Sequence, residues 1–276
     1  MVNPSRFERD YQLTIQVSDS KAVVVRPPFR ISFQADKSVD RSLNKATIKI
    51  YNMSPDNRLA VVKDAEDKKK LGVELLVGYK GSVERIFKGS IHVGENAREG
   101  ADMVTTLDCQ DGGYDFRYSF TSKCVDSDPI NAILADMPNT NKGKITPNRP
   151  TTTRPRVLVG NSYKLIGRTL KDQQWFIDDE TLNVVNKDEV LSEFIPVVQA
   201  STGLLNTPTR EEKKVTVQTL MNPALRCASL FKLNSTTAPH LNGVYKIQAI
   251  GYDGDYEGSN WSQVITAVQA GDYKVI

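Results

Sequence analysis

Residues of the kind that usually build catalytic centres are scarce in this chain. Its 276 residues include two histidines, His92 and His240, and three cysteines, Cys109, Cys124 and Cys227. The cysteines show no CxxC spacing, so a structural zinc site is not expected. They read instead as reduced, mostly buried thiols of a protein made in a cytosol. Neither histidine lies in a nucleophile motif and there is no GxSxG, so a Cys–His pair would have to be assembled by the fold alone. GxGxxG and P-loop patterns are also missing, which removes the commonest nucleotide sites. No apolar run approaches the roughly 20 residues that a membrane span needs. The opening MVNPSRFERDYQL has no apolar stretch of the kind a secretory signal carries. An excess of one charge is lacking too. Lys and Arg number 36 against 33 Asp and Glu, a net charge of +3. That balance is too even for nucleic-acid binding by bulk electrostatics.

What is present is ordinary globular composition, 39% hydrophobic and 25% charged. The length suffices for one large domain or two to three modest ones. Short alternating segments dominate. In Tyr11–Val17, Leu13, Ile15 and Val17 alternate with Gln12, Thr14 and Gln16, the period of a half-buried strand. Val23–Val25 and Phe29–Phe33 continue the pattern around Pro27-Pro28. The polar run ADKSVDRSLN reads as a break before the strand Lys45–Tyr51. Ser54 followed by Pro55 predicts a helix start, and Pro55–Val62 a short helix. The run Asp64–Lys70 mixes both signs and reads as a solvated turn. Gly72–Tyr79, Glu84–Val93 and Asp102–Gln110 complete roughly six or seven strands over residues 10–111, a density that suggests a barrel or sandwich.

The middle of the chain changes character. Asp128 as cap, Pro129 at the first helical position and Ile130, Ile133, Leu134 and Met137 predict a helix. NTNKGKITPNRPTTTRPR then reads as a long polar loop. A second helix is expected over Ser162–Leu170. Residues 174–185, QWFIDDETLNVV, spell a hairpin with Asp178-Asp179-Glu180 at its turn. The expected organisation is therefore a β-domain over 1–111, a small α/β insert over 112–195 and a second β-domain over 196–276. In the last, Val215–Leu220, Ser229–Leu233, Val244–Tyr252 and Trp261–Val268 read as strands, separated by Pro223, Gly243 and the Gly254/Gly258 pair.

Few side chains invite a chemical role. Asp178, Asp179 and Glu180 have the residue types of a glycosidase acid pair, but neighbours on a turn point apart, and turn chemistry accounts for them. Asp253, Asp255 and Glu257 in GYDGDYEGSN hint at a calcium loop, yet the full pattern with its distant bidentate Glu is missing, and a Gly-rich turn fits better. Lys142, Lys144, Arg149, Arg154 and Arg156 cluster with no acid over residues 141–156. They are either a solvated loop or a contact to an acidic partner or to DNA. Trp175 and Trp261 read as core residues of their hairpins. No catalytic residue, metal site or cofactor is expected.

The order of these pieces resembles the baseplate hub proteins of bacteriophage tails, the Mu-like, contractile-tail hub family. KATIKIYNMSPDNR (45–58) is similar to that family's early strand and Asn-x-Ser-Pro turn. QWFIDDETLNVVNK (174–187) resembles its middle-domain hairpin. TGLLNTPTREEKKVTVQTLMNPALRCASLFKL (202–233) and LNGVYKIQAIGYDGDYEGSNW (241–261) resemble its closing barrel. Two positions depart from the family: Arg226-Cys227-Ala228 stands where it often has a Gly-Gly or Pro-Gly turn, and Tyr252 where it often has a His. The resemblance implies a mainly β (α+β) chain with two tail-tube-like β-barrel domains and a small α/β insert domain between them. It further implies a non-enzymatic homotrimer, a pseudo-hexameric ring between tail tube protein and spike protein. Its lumen would hold tape-measure protein and later pass DNA, and wedge proteins of the baseplate would surround it. Such a subunit is made in the host cytoplasm and carried in the virion, without membrane contact. A distal-tail or adaptor ring subunit, or a tail-associated carbohydrate-binding or hydrolytic β-protein, are the alternatives.

Overall fold

The structure is a computed structural model that describes residues 8–145, 154–171, 173–192 and 194–276. The first segment forms β1 (Arg9–Ser18), β2 (Lys21–Val25), β3 (Ile31–Ser38) and β4 (Lys45–Tyr51), then α1 (Pro55–Val61), β5 (Gly72–Tyr79), β6 (Ser82–Glu99) and β7 (Asp102–Gln110). The middle holds α2 (Gly113–Tyr118), β8 (Phe120–Val125), α3 (Pro129–Leu134), β9 (Asn141–Ile145), β10 (Arg156–Asn161) and α4 (Ser162–Thr169), then the hairpin β11 (Trp175–Asp178) and β12 (Thr181–Val184), and β13 (Glu189–Val190). The last part forms β14 (Val197–Val198), β15 (Thr209–Glu211), β16 (Lys214–Leu220), β17 (Leu230–Leu233), β18 (Gly243–Asp255), β19 (Trp261–Gln269) and β20 (Lys274–Val275).

Alternation built these strands as expected. β1 buries Tyr11, Leu13, Ile15 and Val17 on one face, and β16 buries Val215 and Val217. The polar run after Phe33 is a correction to the sequence reading. β3 continues through Ser38, and the inward series Ile31, Phe33, Ala35 runs on to a buried lysine, Lys37, and then to Val39. The long polar loop is also corrected at both ends, where β9 and β10 are strands. The helix expected through Met137 stops at Leu134, with the Met137 amide in a turn to the Leu134 carbonyl at 2.9 Å. Asp128 caps that helix by accepting from the Asn131 amide, and Asn161 caps α4 through the Lys164 amide. Ser54 holds the N-cap position of α1, but its side chain makes no capping hydrogen bond.

One large sheet runs in the order β15–β16–β19–β18–β3–β4–β7–β6–β5–β1–β2, with β17 on β18 and β14 on β17. Its centre is β18. One edge of β18 pairs with β19 throughout. The other pairs first with β17 over Gly243–Lys246 and then with β3 over Ala249–Asp255. A bulge between Ile247 and Ala249 marks the exchange of partners. The first and last segments therefore share a single sheet, and all its neighbouring pairs on this path are antiparallel. The path is open: among the described residues β2 and β15 have no further strand partner.

Contacts across the curl tie the two segments again. The Arg9 guanidinium donates to the carbonyls of Asp255 at 2.7 Å and Gly258 at 2.5 Å. The Trp261 indole donates to the Gly78 carbonyl at 3.1 Å. A single apolar cluster runs from Tyr11 to Ala267 and draws on both segments. A smaller cluster, with Ile130, Ile133, Tyr163, Ile166, Trp175 and Leu182, fills the middle segment. Both tryptophans are core residues, Trp175 in the smaller cluster and Trp261 in the larger.

Candidate functional site

The middle segment meets the sheet at the β11–β12 turn. Asp178 pairs with Thr181, which leaves Asp179 and Glu180 as a two-residue loop. Their φ angles are 53° and 58°. Two successive positive φ values make the mirror-image hairpin turn usually written Asn-Gly. For a residue with a Cβ, that conformation costs about 1–2 kcal/mol. The compensation lies beneath the turn. The amides of Asp179 and Glu180 both donate to the Asp111 carboxylate, at 2.7 and 2.6 Å. Asp111, at the end of β7, is fully buried, and the Asn44 amide group donates to it as well.

The side chains of the turn are taken up by cations from the sheet. The Lys37 ammonium lies 2.6 Å from Asp178 and 2.7 Å from Asp179. The second Asp179 oxygen receives Arg85 at 3.0 Å and lies 3.7 Å from Arg226. Glu180 pairs with Lys70 at 3.3 Å and Lys88 at 3.1 Å. Five cations, from β3, the loop before β5, β6 and the loop before β17, thus converge on one tip. Burial pushes the Asp111 carboxyl up to about 7, against the pull of Lys37 and with the push of Asp178. Burial works against the charge of Lys37, but Asp178 and Asp179 hold it above the ordinary lysine value. Burial works against ionisation of Asp179 too, and Lys37 and Arg85 hold it below the ordinary carboxylate range.

This arrangement is a clamp. A glycosidase needs its two carboxyl groups to flank an open sugar site. Here Asp179 and Glu180 are each only 7% exposed and are committed to lysine and arginine. Asp111, Asp178 and Asp179 offer ligand atoms within 4.8 Å of one another, but the Lys37 ammonium already supplies the positive charge between them. The second acidic turn is similarly satisfied. Asp255 accepts from the amides of Glu257 and Gly258 and pairs with Arg30 at 2.8 Å, while Asp253 accepts from Asn260.

Lys142 and Lys144 are exposed on β9, Arg154 is exposed before β10, and Arg156 is exposed at its start. Arg149 lies outside the described residues. β9 belongs to the β11–β12 sheet and β10 pairs with β8, so Lys142 and Lys144 stand on one sheet and Arg156 on another, with Arg154 two residues before it. His92 sits at a bulge of β6 and His240 in a 3-10 turn. Burial raises the thiols of Cys109 and Cys227, which disfavours the thiolate, whereas Cys124 is exposed. Sequence reasoning missed Lys37, Arg85, Asp111 and Arg226 as members of the clamp. The one available signal was Lys37, which falls in register with the inward residues of β3.

The comparisons with known proteins agree with this architecture. A family profile described as "Baseplate hub gp41" matches residues 11–260. Among curated proteins no sequence matches the chain. Solved structures with a similar fold include the 43 kDa tail protein of prophage MuSo2 from Shewanella oneidensis, at 8% identity, TM-score 0.63, and 94% and 98% coverage of this chain and that one. A tail protein from Neisseria meningitidis MC58 aligns at 10% identity, TM-score 0.61, over 95% and 98% of the two chains. The E. coli c3393 protein, described as a component of the type VI secretion system with structural similarity to T4 tail proteins gp27 and gp5, aligns at 9% identity, TM-score 0.64, over 95% and 78%. At such identities these likenesses concern the fold. The profile match spans nearly the whole chain, and the chain belongs to the Baseplate hub gp41 family, structural components of the phage tail baseplate.

Proposed function

We propose that this chain is the hub subunit that forms a trimeric, pseudo-hexameric ring between tail tube and central spike. The observation that carries the proposal is the family match over residues 11–260, joined to a sheet to which residues 9–110 and 197–269 each contribute a run of strands. Three copies present six such runs to a six-fold tube. The open edges β2 and β15 suit closure by neighbouring strands, since unpaired ladder groups invite a partner and a ring leaves no exposed edge. The solvent face of the central strands carries Gln34, Asp36, Lys45, Thr47 and Asp108, polar and of mixed sign, which suits the wall of a lumen that holds tape-measure protein and passes DNA.

In this reading residues 1–111 and 196–276 are the tube-like units, and residues 112–195 are an insert held in place by the clamp. Lys142, Lys144, Arg149, Arg154 and Arg156 are contacts to an acidic partner or to passing DNA. The subunit assembles with wedge proteins in the host cytoplasm, leaves in the virion and performs no catalysis. The test is scattering mass together with negative-stain images of the purified chain, alone and with tube protein. A three-fold ring with an open centre, at three times 30.7 kDa, is the expected result. A monomer at every concentration that also fails to ring with tube protein would overturn the proposal.

A further inference from the structure

Lys37 meets its two aspartates in different ways. It donates a hydrogen bond of 2.7 Å to Asp179. Its nitrogen comes nearer still to Asp178, 2.6 Å from Oδ1, yet that oxygen is buried and has no hydrogen-bond partner. A buried carboxylate oxygen left in this way calls for an explanation. The carboxyl carbon lies at most one bond length beyond it, close to the roughly 3–3.5 Å separation of reacting atoms in pre-organised sites. The surroundings keep water out. Along its strand Lys37 lies between the buried Ala35 and Val39, and its partner on β18 is the buried Ile250. A third carboxyl group, that of the fully buried Asp111, has an oxygen within 4.8 Å of Asp178 and Asp179.

We propose that the Lys37 amine and the Asp178 carboxyl condense within the folded chain to an isopeptide bond, with Asp111 as the proton relay. The ion pair is the reactant, and no other reagent is needed. The ammonium passes one proton to Asp178, giving an amine and a carboxylic acid, an exchange that spares both groups the cost of a buried charge. The nitrogen lone pair then attacks Cγ and the N–Cγ bond forms. The C–OH bond breaks as a second proton moves from nitrogen to the departing hydroxyl, which leaves as water. Asp111 accepts that proton from nitrogen and delivers it. Burial pushes its carboxyl up to about 7, so near neutral pH it serves in both directions. Asp179 is the poorer acyl group, because Arg85 at 3.0 Å and Arg226 at 3.7 Å hold its other oxygen as an anion. Burial works against the lysine charge, but Asp178 and Asp179 maintain it, so the exchange is infrequent and the condensation is slow, one event in each chain. The product ties β3, the strand through which both ends of the chain share the sheet, covalently to the β11–β12 turn.

The intact mass of the purified wild-type chain, measured after denaturation, tests this without relying on any variant to fold. The expected mass is one water below that of the sequence, a deficit that grows as the freshly made chain is incubated. Tandem mass spectra of a digest are expected to show the peptides of Lys37 and Asp178 joined through their side chains. Lys37→Met and Asp178→Ala are expected to keep the full mass. Asp111→Asn, checked for folding by circular dichroism, is expected to condense about ten-fold or more slowly, and Asp111→Glu, which keeps a carboxyl group, to retain much of the rate. A wild-type chain that stays at full mass after days of incubation overturns the proposal, as does a deficit that persists in Lys37→Met. A join to Asp179 in place of Asp178 overturns the assigned acyl group, and a folded Asp111→Asn chain that condenses at the wild-type rate overturns the relay.

Discussion

Replacing Lys37 with methionine tests whether the clamp holds the insert to the sheet. Methionine keeps the unbranched stem of the side chain, one atom shorter, and removes the charge. Lys37 is only 6% exposed, and its ammonium is within 2.7 Å of Asp178 and Asp179. Without it, those two carboxylates and Asp111 remain within 4.8 Å of one another. Removing one partner of a buried ion pair typically costs about 3–5 kcal/mol, because the remaining charge stays desolvated. For a chain of this size that corresponds to a fall in Tm of roughly 5–9 °C. Arg85 and Arg226 still face Asp179, so the lower half of the range is expected. The pH dependence has a definite sign. Loss of Lys37 removes the pull that lowers Asp111 and Asp179 and so raises their folded pKa values, and a raised folded pKa contributes stability at low pH that is lost as pH rises. The variant should therefore be more impaired at pH 8 than at pH 5.5, relative to wild type. Urea unfolding at both pH values measures this. Asp178→Asn should restore part of the loss in the Lys37→Met background, since it removes one of the stranded charges. A cost under about 1 kcal/mol at pH 8, or an equal cost at both pH values, would refute the clamp.

Three further outcomes are expected. Lys246 is buried, donates to the carbonyls of Asn186 and Lys187, and is lowered by burial to about 8. The unfolded chain then binds more protons than the folded one above about pH 8, so stability rises with pH from there toward the ordinary lysine range. Lys246→Met should flatten that rise in a series of urea midpoints, and an unchanged slope would count against it. At Gly94 an added Cβ would lie 2.3 Å from the Val61 carbonyl oxygen, where Lys63 bridges to β6, so Gly94→Ala should cost about 2 kcal/mol or more by forcing backbone apart. Retention of the wild-type Tm would show that this approach can relax. Glu212 sits at φ 51° in the exposed β15–β16 turn, so Glu212→Gly should raise stability by up to about 1 kcal/mol, read as a Tm shift in a thermal melt, and a fall in Tm would refute the strain.

Alternation of apolar and polar residues located nearly every strand of the large sheet, and the Asp128-Pro129 cap located α3. Failures came where the local pattern was interrupted for a non-local reason. Lys37 looks polar in a polar run, yet it occupies an inward position because three acids from the end of β7 and the β11–β12 turn surround it. The β11–β12 turn was legible as a turn, but its mirror-image geometry was not. The Asp-Glu pair lacks the glycine such turns favour, and the stabilising acceptor, Asp111, is remote in sequence. β9 was hidden inside a run of Asn, Thr, Pro and Arg, whose composition speaks for a loop more strongly than five residues can speak for a strand, and β10 starts at the last residue of that run.

From the sequence alone follow the mainly β character, the division into strand-rich ends and a mixed middle, the main hairpins and the likeness to baseplate hubs. These are local or collinear properties, carried by period-two burial, turn residues and motif order. Only the tertiary structure decided that β3 pairs with β18, so that both ends of the chain enter one open sheet, and that one acidic turn gathers cations from both ends. Alternation reports that a strand has a buried face but not which strand lies beside it. A charged residue likewise carries no mark of its partner until the chain brings the two together in a medium where neither charge is stable alone.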